Sequence, residues 1–121
     1  NRVSELFAPD GWYGRDSGEQ SVGRAAIDRA YAGRSGSGPR TARHLFTNLR
    51  LTFRSDGEAD GTCVLLLFAA DGMPPLPAEP MLVQDYADSY CKRDGRWCFF
   101  SRETHRIFAS SAFRQVLTLG R

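Results

Sequence analysis

The sequence predicts an α+β fold: a strongly curved antiparallel sheet wrapped over helices. Three observations predict it. The patterns run in the order helix end, short strand, helix, then four long strands. The long strands carry apolar residues at the alternating positions that a half-buried sheet requires, as at Leu49, Leu51 and Phe53. Turn signals rather than helices separate those strands, so neighbours in sequence are neighbours in the sheet and run antiparallel.

Val3, Leu6 and Phe7 have the spacing of the last turn of an amphipathic helix, and Pro9-Asp10-Gly11 stops it at about Ala8. This opening in mid-pattern implies that the chain lacks a native N-terminal segment. Gly11 to Arg15 reads as a short strand with Trp12 and Tyr13 on opposite faces, and 16–19 as a turn. Ser21 is placed to cap a helix running to about Ala32, with Val22, Ala26, Ala30 and Tyr31 on its apolar side. Gly33 closes it, and Ser35-Gly36-Ser37-Gly38-Pro39 is a flexible link.

The long strands are expected over Thr41 to Arg54, Gly61 to Ala70, Met81 to Lys92 and Trp97 to Ala109. Ser55-Asp56-Gly57 turns the first pair. Asp71 to Pro80, with four prolines, makes a loop rather than a strand. Asp94-Gly95 marks the last hairpin. The tail from Ser110 has only a weak pattern. Both faces of the last strands are partly apolar, with Phe100 among the large outer residues, and a sheet with two apolar faces needs two covers. A homo-oligomer, trimer or dimer, is therefore expected.

At 121 residues the chain holds one domain, and a hydrophobic content of 41% is enough for one core. The longest apolar run, Val64 to Ala70, is too short to span a bilayer. Sixteen basic and 14 acidic residues leave a net charge of +2, and the arginines are scattered. Nucleic-acid binding calls for a clustered basic face with aromatics, which is absent. Cys63, Cys91 and Cys98 are an odd set without metal-site spacing. They read as free, buried, inert thiols of a reducing compartment, so a cytoplasmic location is expected. No Gly-rich phosphate cradle or metal set occurs, and no cofactor is expected.

Three stretches carry a family resemblance: Leu6-Phe7-Ala8-Pro9-Asp10-Gly11, Arg43-His44-Leu45-Phe46-Thr47-Asn48-Leu49-Arg50-Leu51, and Tyr86-Ala87-Asp88-Ser89-Tyr90 with Arg93-Asp94-Gly95-Arg96-Trp97. Together they resemble the SnoaL-like branch of the NTF2-like superfamily. The nearest likeness is to the hexachlorocyclohexane dehydrochlorinase type and, more distantly, the scytalone dehydratase type. The resemblance implies a cone-shaped, cystatin-like barrel with a small-molecule pocket between sheet and helices. Fold alone does not fix function, because this superfamily hosts lyases, isomerases, hydrolases and non-enzymatic subunits.

By this resemblance His44 takes the place of a general base that removes a proton from carbon next to a leaving group. Imidazole suits the task because it exchanges protons near neutral pH. The same frame gives it an orienting aspartate on a first helix that this chain does not contain. The alternative is a strand histidine bonded to backbone. Arg102 points into the pocket by similarity, where a guanidinium stabilises a departing anion or a carboxylate. The alternative is a salt bridge to Asp85 or Asp88. Tyr13, Tyr86, Leu65, Leu67, Leu82 and Thr104 are the expected substrate-binding residues. Alternation supports part of this set: Leu65 and Leu67 share one face, and Leu82, Gln84 and Tyr86 share another. His105 faces away from Arg102, Thr104 and Arg106. Asp88 and Glu103 do not read as an acid pair, because they lie on different strands. Met73-Pro74-Pro75-Leu76-Pro77 reads as a rim loop over the pocket.

Two functions follow as expectations. One is a cofactor-independent lyase or isomerase acting on a small hydrophobic, cyclic or aromatic compound, with loss of water or halide as the model reaction. The other is a non-catalytic ligand-binding protein, or an assembly subunit resembling the small subunit of ring-hydroxylating dioxygenases.

Overall fold

The computed structural model describes residues 2–32 and 40–114. A single 3₁₀ turn, Val3–Leu6, leads into β1 (Phe7–Arg15). Then come β2 (Gln20–Val22), α1 (Arg24–Ala32), β3 (Arg40–Ser55), β4 (Glu58–Asp71), β5 (Leu82–Arg93) and β6 (Arg96–Ala109). All six strands join one sheet in the order β2-β1-β6-β5-β4-β3. The α+β class and the curved sheet are as the sequence predicts. One pairing is not: β1 lies parallel to β6, so the sheet is mixed. Sequence order hides this, because β1 and β6 come from opposite ends of the chain.

Two elements differ from expectation. Ser21 does not cap a helix. It pairs with Tyr13 in the short strand β2, and α1 begins three residues later at Arg24. The turn after β1 folds Gln20–Val22 back onto that strand, and its backbone hydrogen bonds go to Trp12, Tyr13 and Gly14. Gly23, at φ 84°, then redirects the chain into the helix. β1 itself starts at Phe7 rather than Gly11, because the register with β6 shifts between Phe7 and Trp12 and absorbs Pro9 at an irregularity. The expected closing role of Gly33, the link at 35–39 and the end of the tail lie outside the described residues.

The hairpins are as expected. Asp94 (φ 54°) and Gly95 (φ 75°) form the left-handed pair that a two-residue turn between twisted strands requires. Irregularities at Thr47/Arg50, with Asn48 at φ 56°, and at Ser89/Tyr90 add the local bends that curve a long sheet. The proline-rich loop joins β4 to β5 beyond Leu67 and Leu82.

Register settles which residues share a face. Cys63, Leu65 and Leu67 lie opposite Tyr86, Gln84 and Leu82. Paired residues project to the same side, so the two sets of leucines and tyrosine form one inner surface rather than two. Two buried clusters sit on that side. Phe7, Tyr13 and Ile27 form one under α1, with Val3, Ala30, Tyr31 and Phe99 packed against it. Cys63, Leu65 and Tyr86 form the other, with Leu67 beside it. Burying Leu65 completely is worth roughly 1.5–3 kcal/mol relative to exposing it.

Candidate functional site

The inner face brings together one polar constellation. Arg102 on β6 and Asp88 on β5 are cross-strand partners. Arg102 Nε donates to Asp88 Oδ1 at 2.8 Å and Nη2 to Oδ2 at 2.9 Å, the two-pronged geometry that a guanidinium fork offers a carboxylate. The Asp88 side chain is fully buried and that of Arg102 is 15% exposed. Tyr90 Oη adds a third donor to Asp88 Oδ2 at 2.9 Å. Gly61 makes room for it, since a Cβ there would meet the Tyr90 ring at 2.8 Å. This is the alternative reading of Arg102 as a salt bridge, with Asp88 rather than Asp85 as its partner.

The same guanidinium lies among aromatic rings. Its carbon is 4.3 Å from the centre of Tyr86, 4.4 Å from Phe99 and 5.8 Å from Phe46. These are the distances at which a cation is attracted to a ring face. Arg102 therefore joins the two buried clusters, touching Tyr86 of one and Phe99 of the other. Burial opposes its charge, but the hydrogen bonds and negative charge of Asp88 outweigh that and hold its pKa above the ordinary arginine value. Burial, followed by the Asp88 charge, pushes the Tyr90 phenol up, so it stays a neutral donor. The same two causes raise the Cys63 thiol. The Nη1 nitrogen of Arg102 makes no hydrogen bond among the described residues.

The other expected site residues fall at varied distances from this centre. His44 lies on β3 opposite Leu67, and so on the inner side. It is exposed, and its side chain makes no hydrogen bond among the described residues. Phe46, two residues along, is the β3 side chain that reaches Arg102 and Tyr86. Leu65, Tyr86 and Leu82 are buried and Leu67 is half-buried. Tyr13 is buried too, but it packs under α1 with its ring 5.1 Å from that of Tyr31. Thr104 is buried beside Tyr86, and its hydroxyl donates to the Gly14 carbonyl at 3.4 Å, tying β6 to β1. His105 pairs with Asp85 on the outer side.

Sequence reasoning named Asp88 only as one of two alternative salt-bridge partners of Arg102 and gave Tyr90 and Phe99 no place in the site. The signal available was the alternation Tyr86, Asp88, Tyr90, which sets an acid on the same strand face as two aromatics. A second expectation needs correction. All three cysteines are free, but only Cys63 is buried, whereas Cys91 and Cys98 are partly exposed. They are cross-strand partners whose sulfurs touch at 3.5 Å.

A groove of about 460 Å³ crosses the opposite, outer face, lined by Arg50, Thr52, Asp60, Thr62, Ser89 and Glu103 among others. Most of its lining residues have polar side chains, and it carries none of the aromatic side chains around Arg102. Among the described residues no group of three or more His, Cys, Asp or Glu side chains could hold a metal ion, and no helix is long and apolar enough to cross a membrane.

A curved six-stranded sheet with α1 packed on its inner side is a cystatin-like, NTF2-like fold. The chain belongs to the SnoaL-like domain family, whose sequence pattern matches residues 1–103. Solved structures agree on the fold. A putative scytalone dehydratase from Novosphingobium aromaticivorans is 24% identical, with a TM-score of 0.76 over 90% of this chain and 71% of that one. A type 2 hexachlorocyclohexane dehydrochlorinase is 19% identical, with a TM-score of 0.68 over 90% of this chain and 72% of that one. A protein from Catenulispora acidiphila, solved in complex with S-DNPA, is 23% identical, with a TM-score of 0.68 over 94% of this chain and 79% of that one. No curated protein sequence matches the chain.

Proposed function

We propose that the inner face binds a small, hydrophobic, cyclic or aromatic molecule, and that the protein is a cofactor-independent lyase or isomerase with His44 as general base. The observation that carries the reading is Arg102. A guanidinium fixed by Asp88 and flanked by Tyr86, Phe99 and Phe46 offers flat apolar walls beside a fixed positive charge. Such a charge needs no reorganisation when an anion forms next to it. Leu65, Leu67 and Leu82 extend the apolar wall along the sheet toward His44, whose strand position faces them. In this reading His44 takes the proton, Arg102 steadies the departing anion, and Tyr13, Tyr86 and Thr104 shape the walls. The neighbours named for dehydrating and dehydrochlorinating enzymes support the class of reaction. The ligand-bound neighbour supports a small-molecule pocket.

The exposed apolar side chains of β3, among them Phe46, Leu49 and Phe53, support a homo-oligomer. One observation favours a ligand-binding role without turnover. No carboxylate among the described residues hydrogen-bonds to His44, so no described acid orients its ring.

The test is direct. Chloride release from hexachlorocyclohexane and water loss from hydroxylated aromatic compounds are measured for the wild type and for His44→Ala. A base role predicts a loss of about 10²- to 10⁴-fold in the variant with an unchanged circular dichroism spectrum. Equal rates in the two proteins remove the lyase mechanism. Binding of the same compounds without turnover in either protein establishes the ligand-binding reading instead.

A further inference from the structure

The mechanism above makes no use of Cys91 and Cys98. They stand directly opposite each other on β5 and β6, two residue pairs from the Asp94-Gly95 turn. Directly paired residues of an antiparallel ladder have Cα atoms about 4.5–5.5 Å apart. Disulfides span about 4.4–6.8 Å between Cα atoms. The two side chains leave the same face of the sheet, and their sulfurs are already at 3.5 Å. The Cys98 thiol also approaches the Cys91 carbonyl at 3.3 Å. Both residues are partly exposed, so a small reagent can reach them, whereas Cys63 is buried on the inner face.

We infer that Cys91 and Cys98 form a dithiol that a low-molecular-weight disulfide, such as oxidised glutathione, converts to an intramolecular cross-strand disulfide. The reaction balances in two exchanges. The thiolate of one cysteine attacks a glutathione sulfur, forms a mixed disulfide and releases one glutathione thiolate. The second cysteine, after losing its proton to solvent, attacks the protein-side sulfur, closes the Cys91–Cys98 bond and releases the second glutathione. Two thiols of the protein are oxidised and one glutathione disulfide is reduced to two thiols. The short hairpin keeps the second sulfur in contact with the first, so closure outpaces release of the mixed disulfide. Burial raises the Cys91 thiol first of all, and its contact with Cys98 adds to this, so exchange slows as pH falls.

The full chain is equilibrated in buffers of reduced and oxidised glutathione, quenched with acid, unfolded, alkylated and weighed. The expected product is a single chain, lighter than the fully reduced and alkylated protein by two alkyl groups, with its one alkylated thiol assigned to Cys63 by peptide mapping. Peptides containing Cys91 and Cys98 are joined until reduction. In Cys91→Ser the joined species is lost, and Cys98 carries glutathione instead. Three free thiols in fully oxidised buffer overturn the inference. So does a glutathione adduct that accumulates on the wild type, or a bond that joins two chains. The wild-type measurement needs no variant to fold.

Discussion

The two flanks of the inner face are built from similar side chains and treated very differently. Under α1, Phe7, Tyr13 and Ile27 are between 0% and 3% exposed. Along β3, Phe46, Leu49, Leu51 and Phe53 are between 49% and 64% exposed. The difference is one of cover. The helix α1 is nine residues long and packs on β1 and β2, with Ala30 and Tyr31 in the same cluster as Phe99 of β6. β3 is the opposite edge strand, five positions away in the sheet order. Arg102 sits between the two flanks, with buried Tyr86 and partly buried Phe99 on one side and half-exposed Phe46 on the other. Rigidity and openness therefore meet at the Arg102 guanidinium, which is where a ligand site needs both.

The sharpest way to break this contrast is Asp88→Ala. It leaves the largely buried Arg102 charge without its partner, a change that costs about 3–5 kcal/mol. Urea denaturation should register that loss. Adding Arg102→Met to the same protein should restore part of it, because a well-packed apolar side chain replaces a buried ion pair at little cost. No recovery in the double variant would mean that Asp88 acts through packing rather than charge.

A second comparison tests the flanks against each other. Ile27→Ala removes side-chain volume from a site with no exposure and should cost about 2–5 kcal/mol. Phe53→Ala, though it removes a larger side chain, should change stability by less than about 1 kcal/mol in the monomeric chain, since that ring is 64% exposed. A comparable loss in both would show that β3 is covered in solution, and sedimentation of the Phe53 variant would tell whether a second copy supplies the cover.

The smallest expected effect concerns the ion pair that ties the turn after β1 to β6. Arg106 Nη2 stands 2.7 Å from Asp16 Oδ1, and its hydrogen bonds hold the Asp16 carboxyl below the usual range. A depressed carboxylate stabilises the fold above its unfolded pKa of about 3.9, and the contribution disappears as pH falls through the lower folded value. Between pH 6 and pH 2 the wild type should thus lose more stability than Asp16→Asn. The excess should be about 1 kcal/mol or less, because the pair is partly exposed and screened.

The sequence by itself determined the class and the long strands, because alternation and turn chemistry are local. Asp94-Gly95 needs only its own φ preferences to end one strand and begin the next, and Leu65 and Leu67 show their shared face through spacing alone. One of the stretches that carry the family resemblance includes Asp94-Gly95. The folded sheet decided what depends on the register between strands. The parallel seating of β1 on β6, the pairing of Asp88 with Arg102, and the contact of Cys91 with Cys98 each follow from which residue stands opposite which. Ser21 shows the same limit on a smaller scale: its capping chemistry is sound, but pairing with Tyr13 satisfies its backbone, and the helix starts later. A strand's sequence states which side chains share its face; only the folded sheet states what they face.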